Sequence, residues 1–154
     1  MGHAKNAGPG TTTAANVNVE RLNAFLSGEL AAVETYKLAL DNLEEKSKAR
    51  TNLESCLQSH QQRVSLLKAA IAQRGGTPAQ PTGAWSAVIE IAETAAGDKA
   101  ALAALEEGED HELADYRGAL AGLDASARQL VEMQLLPKQI QSHHSISELR
   151  KTLH

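Results

Sequence analysis

Two glutamates and two histidines, Glu29, His60, Glu109 and His143, have the types and spacing in this chain that could do chemistry. Each interrupts a run of apolar residues recurring every three or four positions. Glu29 stands between Leu26 and Val33, His60 between Cys56/Leu57 and Val64, Glu109 between Leu105 and Leu113, and His143 between Ile140 and Ile146. Three-and-four spacing marks one face of a helix, so each polar residue is expected to turn toward a core. A carboxylate withdrawn from water is costly unless it is protonated, paired or bound to a cation. Two carboxylates and two imidazoles suit one divalent transition metal, zinc or iron by ligand type. Glu–His hydrogen bonding without a metal is the other arrangement open to the same residues.

The elements that must position these residues follow from the same periodicity. Residues 1–16 lack it and are expected to form a flexible tail, leaving 17–154 as one domain. A first long helix is expected from Asn18, as its cap, to about Glu45, and a second from about Ser47 to Arg74, stopped by Gly75-Gly76. The Pro- and Gly-containing stretch from Thr77 to Gly83 cannot be helical, and a short helix from Trp85 to about Ala96 follows. Asp98 and Asp124 then open the third and fourth long helices, the last containing Pro137, where a kink is expected to re-aim its stripe of Leu130, Met133, Leu136, Ile140, Ile146, Leu149 and Leu153.

Two tight hairpins joined by a long middle connection give the expected fold class: all-α, a ferritin-like four-helix bundle with a crossover containing a short helix. If the connection crosses, the second and third long helices run parallel, and His60, Glu109 and His143 lie within ~5 Å of one layer at ~1.5 Å per residue. On the first helix the residue at matching depth is Glu34, on the flank of the stripe, whereas Glu29 faces the core nearly a turn and a half deeper. Both are candidates; facing the core is the harder requirement and favours Glu29. The acidic run Glu106, Glu107, Asp110, His111 and Glu112 reads as a solvated face, Tyr36 and Tyr116 as core rings able to donate hydrogen bonds, and Cys56 as a small buried residue.

Aromatics at 3% and abundant Ala, Leu, Glu, Lys and Arg agree with an all-helical chain. The formal net charge of −4, with basic residues scattered, gives no reason to expect nucleic acid, and no apolar run approaches a membrane span. The lone cysteine, Cys56, and the polar start MGHAKNAGPGTTTAAN lead to an expected cytoplasmic location. Homo-oligomerisation through helix packing stays open.

The segments LNAFLSGELAAVETYKLAL, GDKAALAALEEGEDHELADYRGAL and LLPKQIQSHHSISELRKTL, with SHQQRVSLL, RGGTP and GAWSAV, resemble an uncharacterised bacterial ferritin-like four-helix-bundle family, a domain of unknown function. The resemblance spans about residues 18–153. It implies distant kinship with ferritin and rubrerythrin bundles, which use one Glu on each of two helices and a Glu-x-x-His pair on each of the others. On that pattern Glu29 (or Glu34), His60, Glu109 and His143 match four of the groups. Leu57 and Ile140, three residues before the two histidines, stand where the bridging carboxylates would be. Their absence argues against ferroxidase or oxygenase chemistry and for a single metal or a vestigial site. A non-enzymatic interaction module without metal is the alternative, and a di-iron oxidase a further one.

Overall fold

In the computed structural model, residues 14–94 and 96–152 are described, and among them the fold is all-helical with no strand. Helix α1 (Ala14–Asn42) and α2 (Arg50–Gln73) form one hairpin. The short α3 (Ser86–Thr94) lies in the long connection to α4 (Asp98–Ala119). After a 3₁₀ turn, α5 (Ala125–Leu130), a π-turn (Val131–Leu135) and α6 (Leu136–Thr152) make one nearly continuous rod. The expected tail and Leu153 lie outside the described residues, except that residues 14–16 form the first turn of α1.

Local sequence accounts for the boundaries. Gly75 adopts φ 76°, and the amides of Gly75 and Gly76 donate to the carbonyls of Ala72 and Ile71, both at 3.0 Å. This left-handed cap closes α2 and satisfies its last carbonyls. Asp124 caps α5, its carboxylate accepting from the Ala127 amide at 2.8 Å, and Arg74 grips the same carboxylate at 2.7 and 3.1 Å. Asn18 does not cap α1. It is buried within that helix, and its Oδ1 accepts the Asp124 amide at 2.9 Å, tying α1 to the start of α5.

Two apolar clusters fix the directions of the rods. One joins Tyr36, Ala39 and Leu43 of α1 to Leu53 and Cys56 of α2, Leu102 and Leu105 of α4, and Ile146 and Leu149 of α6. The other joins Leu22, Phe25, Leu26 and Leu30 of α1 to Leu67 and Ile71 of α2, Tyr116 of α4, and Ala127, Val131 and Leu135 of the last rod. The N-terminal halves of α2 and α4 therefore share one end, so these two helices are parallel, while α1/α2 and α4/α6 are antiparallel. The connection must travel the length of the molecule. Trp85 pins it: its ring packs against Gly108, where a Cβ would come within 2.3 Å, and its amide donates to Thr35 Oγ1 at 2.7 Å.

Pro137 does re-aim the last rod, through the π-turn before it. A proline inside a helix has no amide for the carbonyl four residues back and crowds it. Here the Leu136 amide reaches Val131 O, five residues back, in a widened turn. The extra residue rotates everything after it, and burial falls on Ala127, Val131, Leu135, Gln139, Ser142, Ile146 and Leu149. Met133 and Ile140, expected in the core, are 68% and 42% exposed.

Candidate metal centre

Between the two apolar clusters lies a polar layer. Glu29, His60, Arg63, Glu109 and Gln139 have no exposed surface, and Ser142 and Glu112 almost none. His60 occupies the middle. Its Nδ1 meets Glu29 Oε1 at 2.5 Å, its Nε2 meets Glu109 Oε2 at 2.7 Å, and its ring stacks on Tyr36 at 5.1 Å. The phenols close the layer, Tyr36 donating to Glu109 Oε2 at 2.6 Å and Tyr116 to Glu29 Oε2 at 2.5 Å. Both core rings thus donate the hydrogen bonds open to them.

Arg63, one turn after His60, lies 3.3 Å from Glu29 Oε2 and donates to Ser142 Oγ at 3.1 Å and to Gln139 Oε1. Gln139 Nε2 and Ser142 Oγ in turn donate to Glu109 Oε1 at 2.9 and 2.7 Å. Glu109 thus accepts from four side chains, and its pKa lies at about 2: burial pushes it up, but the His60 charge and these hydrogen bonds outweigh burial. Glu29 is lowered as well, the charges of His60 and Arg63 overcoming its burial. His60 is raised because the two carboxylates overcome the burial that opposes its charge. An imidazolium and a guanidinium therefore balance two carboxylates.

Glu112 stands apart. It sits one turn beyond Glu109 and is 7% exposed, and burial together with the Glu29 and Glu109 charges drives its pKa well above the ordinary 4.5. It shares a hydrogen bond with Glu29, yet its Oε1 has no hydrogen-bond partner. Among the described residues, Glu29, His60 and Glu112 each offer a ligand atom, all within 4.8 Å of one another, a group that could hold a metal ion.

Of the residues selected from sequence, Glu29, His60 and Glu109 come together, and Glu34 and His143 do not. Glu34 is exposed and 3.9 Å from Lys37. His143 lies at the surface, paired with Asp110, because the widened turn brings Gln139 and Ser142 inward in its place. Arg63, Glu112, Gln139 and Ser142 were missed. One signal could have found Arg63 and Glu112, since each stands three residues after an inward-facing residue, His60 and Glu109, whereas the placement of Gln139 and Ser142 depends on the widened turn. Cys56 is buried in the neighbouring cluster, with its thiol pushed up to about 11 by burial and then by Glu109, and it lies outside the ligand group. Exposed Glu107, Asp110 and His111 keep the solvated face expected of them, from which Glu112 departs.

No helix among the described residues is long and apolar enough to cross a membrane. No family model, curated protein or solved structure matches this chain.

Proposed function

We propose that this chain is a ferritin-like four-helix-bundle protein whose core binds one divalent transition-metal ion, zinc or iron, through Glu29, His60 and Glu112. The observation that carries the reading is Glu112, a buried carboxyl group with an unpartnered oxygen beside two further ligand atoms. Buried polar atoms without partners are uncommon, and each asks for an explanation. One imidazole and two carboxylates form a familiar protein ligand set for such an ion. Glu109 supports it from behind, holding the second nitrogen of His60 while Tyr36, Gln139 and Ser142 hold Glu109. A carboxylate behind a ligating histidine fixes its tautomer and orientation.

The charge count agrees with one ion. With Glu112 protonated and His60 charged, Glu29, Glu109, His60 and Arg63 sum to zero. A divalent ion replacing the His60 and Glu112 protons leaves that sum unchanged, and metal binding releases ligand protons in this way. Ferritin-like bundles place i, i+3 pairs on two of their helices. Here the inward-facing i, i+3 pairs are His60/Arg63 and Gln139/Ser142, so a second cation would meet a fixed guanidinium and two neutral side chains and no bridging carboxylate. This disfavours a di-iron oxidase.

Metal analysis tests the reading. Protein incubated with Zn²⁺ or, anaerobically, Fe²⁺ is expected to retain one ion per chain, and His60→Ala none. Glu109→Gln is expected to weaken binding by about 10- to 100-fold. A wild-type protein that retains neither ion ends the reading and leaves the second one, a metal-free structural or interaction module. The observation favouring that second reading is the self-neutralised pairing of both His60 nitrogens and of Arg63.

A further inference from the structure

A groove of about 550 Å³ runs along the surface between α1 and α4, lined among others by Arg21, Phe25, Gly28, Glu112, Tyr116 and Gly122. At one end the Arg21 guanidinium lies across Gly122, where a Cβ would fall 1.7 Å from its Nη1. Toward the other end Gly28 faces Glu112: a Cβ built there would meet Glu112 Oε2 at 3.6 Å and nothing else within 4 Å. Of the three ligands only Glu112 lines the groove; Glu29 and His60 lie behind it without exposed surface. Glu112 is more than nine-tenths buried; its Oε2 faces Gly28, and its Oε1, itself buried, is unpartnered.

Resting on the metal-centre reading, we infer that this groove is the passage by which a divalent cation reaches the core, with Glu112 as the residue that receives it from the groove and presents it to Glu29 and His60. A cation crossing into the interior needs an oxygen ligand at every stage, because its desolvation is otherwise prohibitive. Glu112 is the carboxyl group that touches both compartments. The absence of a side chain at Gly28 leaves the approach to it open, and Asp115, which also lines the groove, adds a carboxylate nearer solvent. The pocket of about 220 Å³ between α2 and α6 reaches Cys56, Ser59 and Ser142 but none of the three ligands. Leu57 and Trp85 pack on one apolar cluster, and Gln139 and Ser142 fill the α6 side.

Uptake kinetics of Co²⁺, followed by its visible absorption after rapid mixing, test the passage separately from the centre. Gly28→Leu is expected to slow uptake about tenfold or more, roughly 1.4 kcal/mol on a barrier, while the final occupancy stays at the wild-type value. The helical position gains propensity from the change, which favours folding. The second variant, Asp115→Lys, changes an exposed residue; it is expected to slow uptake by about tenfold at low ionic strength and by less in salt. Wild-type rates in both variants, with full occupancy, overturn the passage and leave the metal centre standing. If Gly28→Leu fails to fold or to load, the rate of Asp115→Lys decides. Wild-type protein that takes up no Co²⁺ overturns both inferences.

Discussion

At either end of the molecule the four rods meet through Leu, Ile, Val and Ala side chains, whereas halfway along they meet through Glu29, His60, Arg63, Glu109, Gln139 and Ser142. Apolar contact is non-directional, so the ends can accept many residues of suitable size. The middle is directional. Each of these six side chains is satisfied by partners on other helices, most serving two at once, while Glu112 Oε1 beside them is unpartnered. The ends supply cohesion; the middle specifies which helix faces which, and at what depth. A chain needing only a stable bundle would gain little from burying four charges, since apolar replacements of such sets are often neutral or stabilising. Keeping them points to a task for the layer.

The largest expected difference between the regions lies in how they fail. Arg63→Met removes one partner from a buried charge set and should cost about 3–5 kcal/mol in denaturant unfolding. Adding Glu29→Gln, which restores neutrality, should cost less than the sum of the single changes. At the ends, Leu102→Ala should cost about 2–5 kcal/mol, and combining it with Leu67→Ala in the other cluster should be additive. Additive losses at Glu29 and Arg63 would show that the middle behaves like the ends.

Next in size is the response to pH, to which the middle contributes four buried groups, while at one end the Arg74 hydrogen bonds hold Asp124 down at about 2. The folded pKa of Glu109 is about 2, against an ordinary 4.5, so its stabilisation is present above pH 4.5 and lost as pH falls toward 2; Glu29 acts in the same direction. His60 is raised above 6.5, so its contribution is complete below that pH and fades as pH rises through the folded value. Glu112 is raised well above 4.5, so keeping it protonated costs stability increasingly as pH climbs past 4.5. Glu112→Gln should therefore raise Tm at pH 8 and leave it unchanged at pH 4, while weakening metal binding. An equal shift at both pH values would mean that Glu112 is not held protonated in the fold. Metal affinity should rise with pH as two protons leave per ion, and a pH-independent affinity would contradict the exchange.

The ends were legible in the sequence because periodicity reports apolar burial directly. Leu26, Val33, Cys56 and Leu105 stand inside as their spacing required. Three of the seven residues of the middle were legible too: Glu29, His60 and Glu109 interrupt stripes, and an interruption is visible. Arg63 and Glu112 were not, because each sits on a stripe's flank, where a charged residue ordinarily meets water. Gln139 and Ser142 were hidden for another reason. Their inward placement depends on the extra residue in the Val131–Leu135 turn, and a constant helical period carried across that turn selects Ile140 and His143.

That register produces the smallest expected effect. With Ile140 42% exposed on the outer face of α6, Ile140→Ser should change stability by no more than about 0.5 kcal/mol, as surface substitutions usually do. Met133→Ser, at 68% exposure within the π-turn itself, should behave likewise. A straight helix continuing the apolar stripe would bury both, and their loss would then cost about 2–5 kcal/mol. The near-silence of Ile140 thus carries weight beyond its size. If the substitution proved severe, α6 would be rotated, Gln139 and Ser142 would face water, and Glu109 would lose the two donors that hold it behind His60.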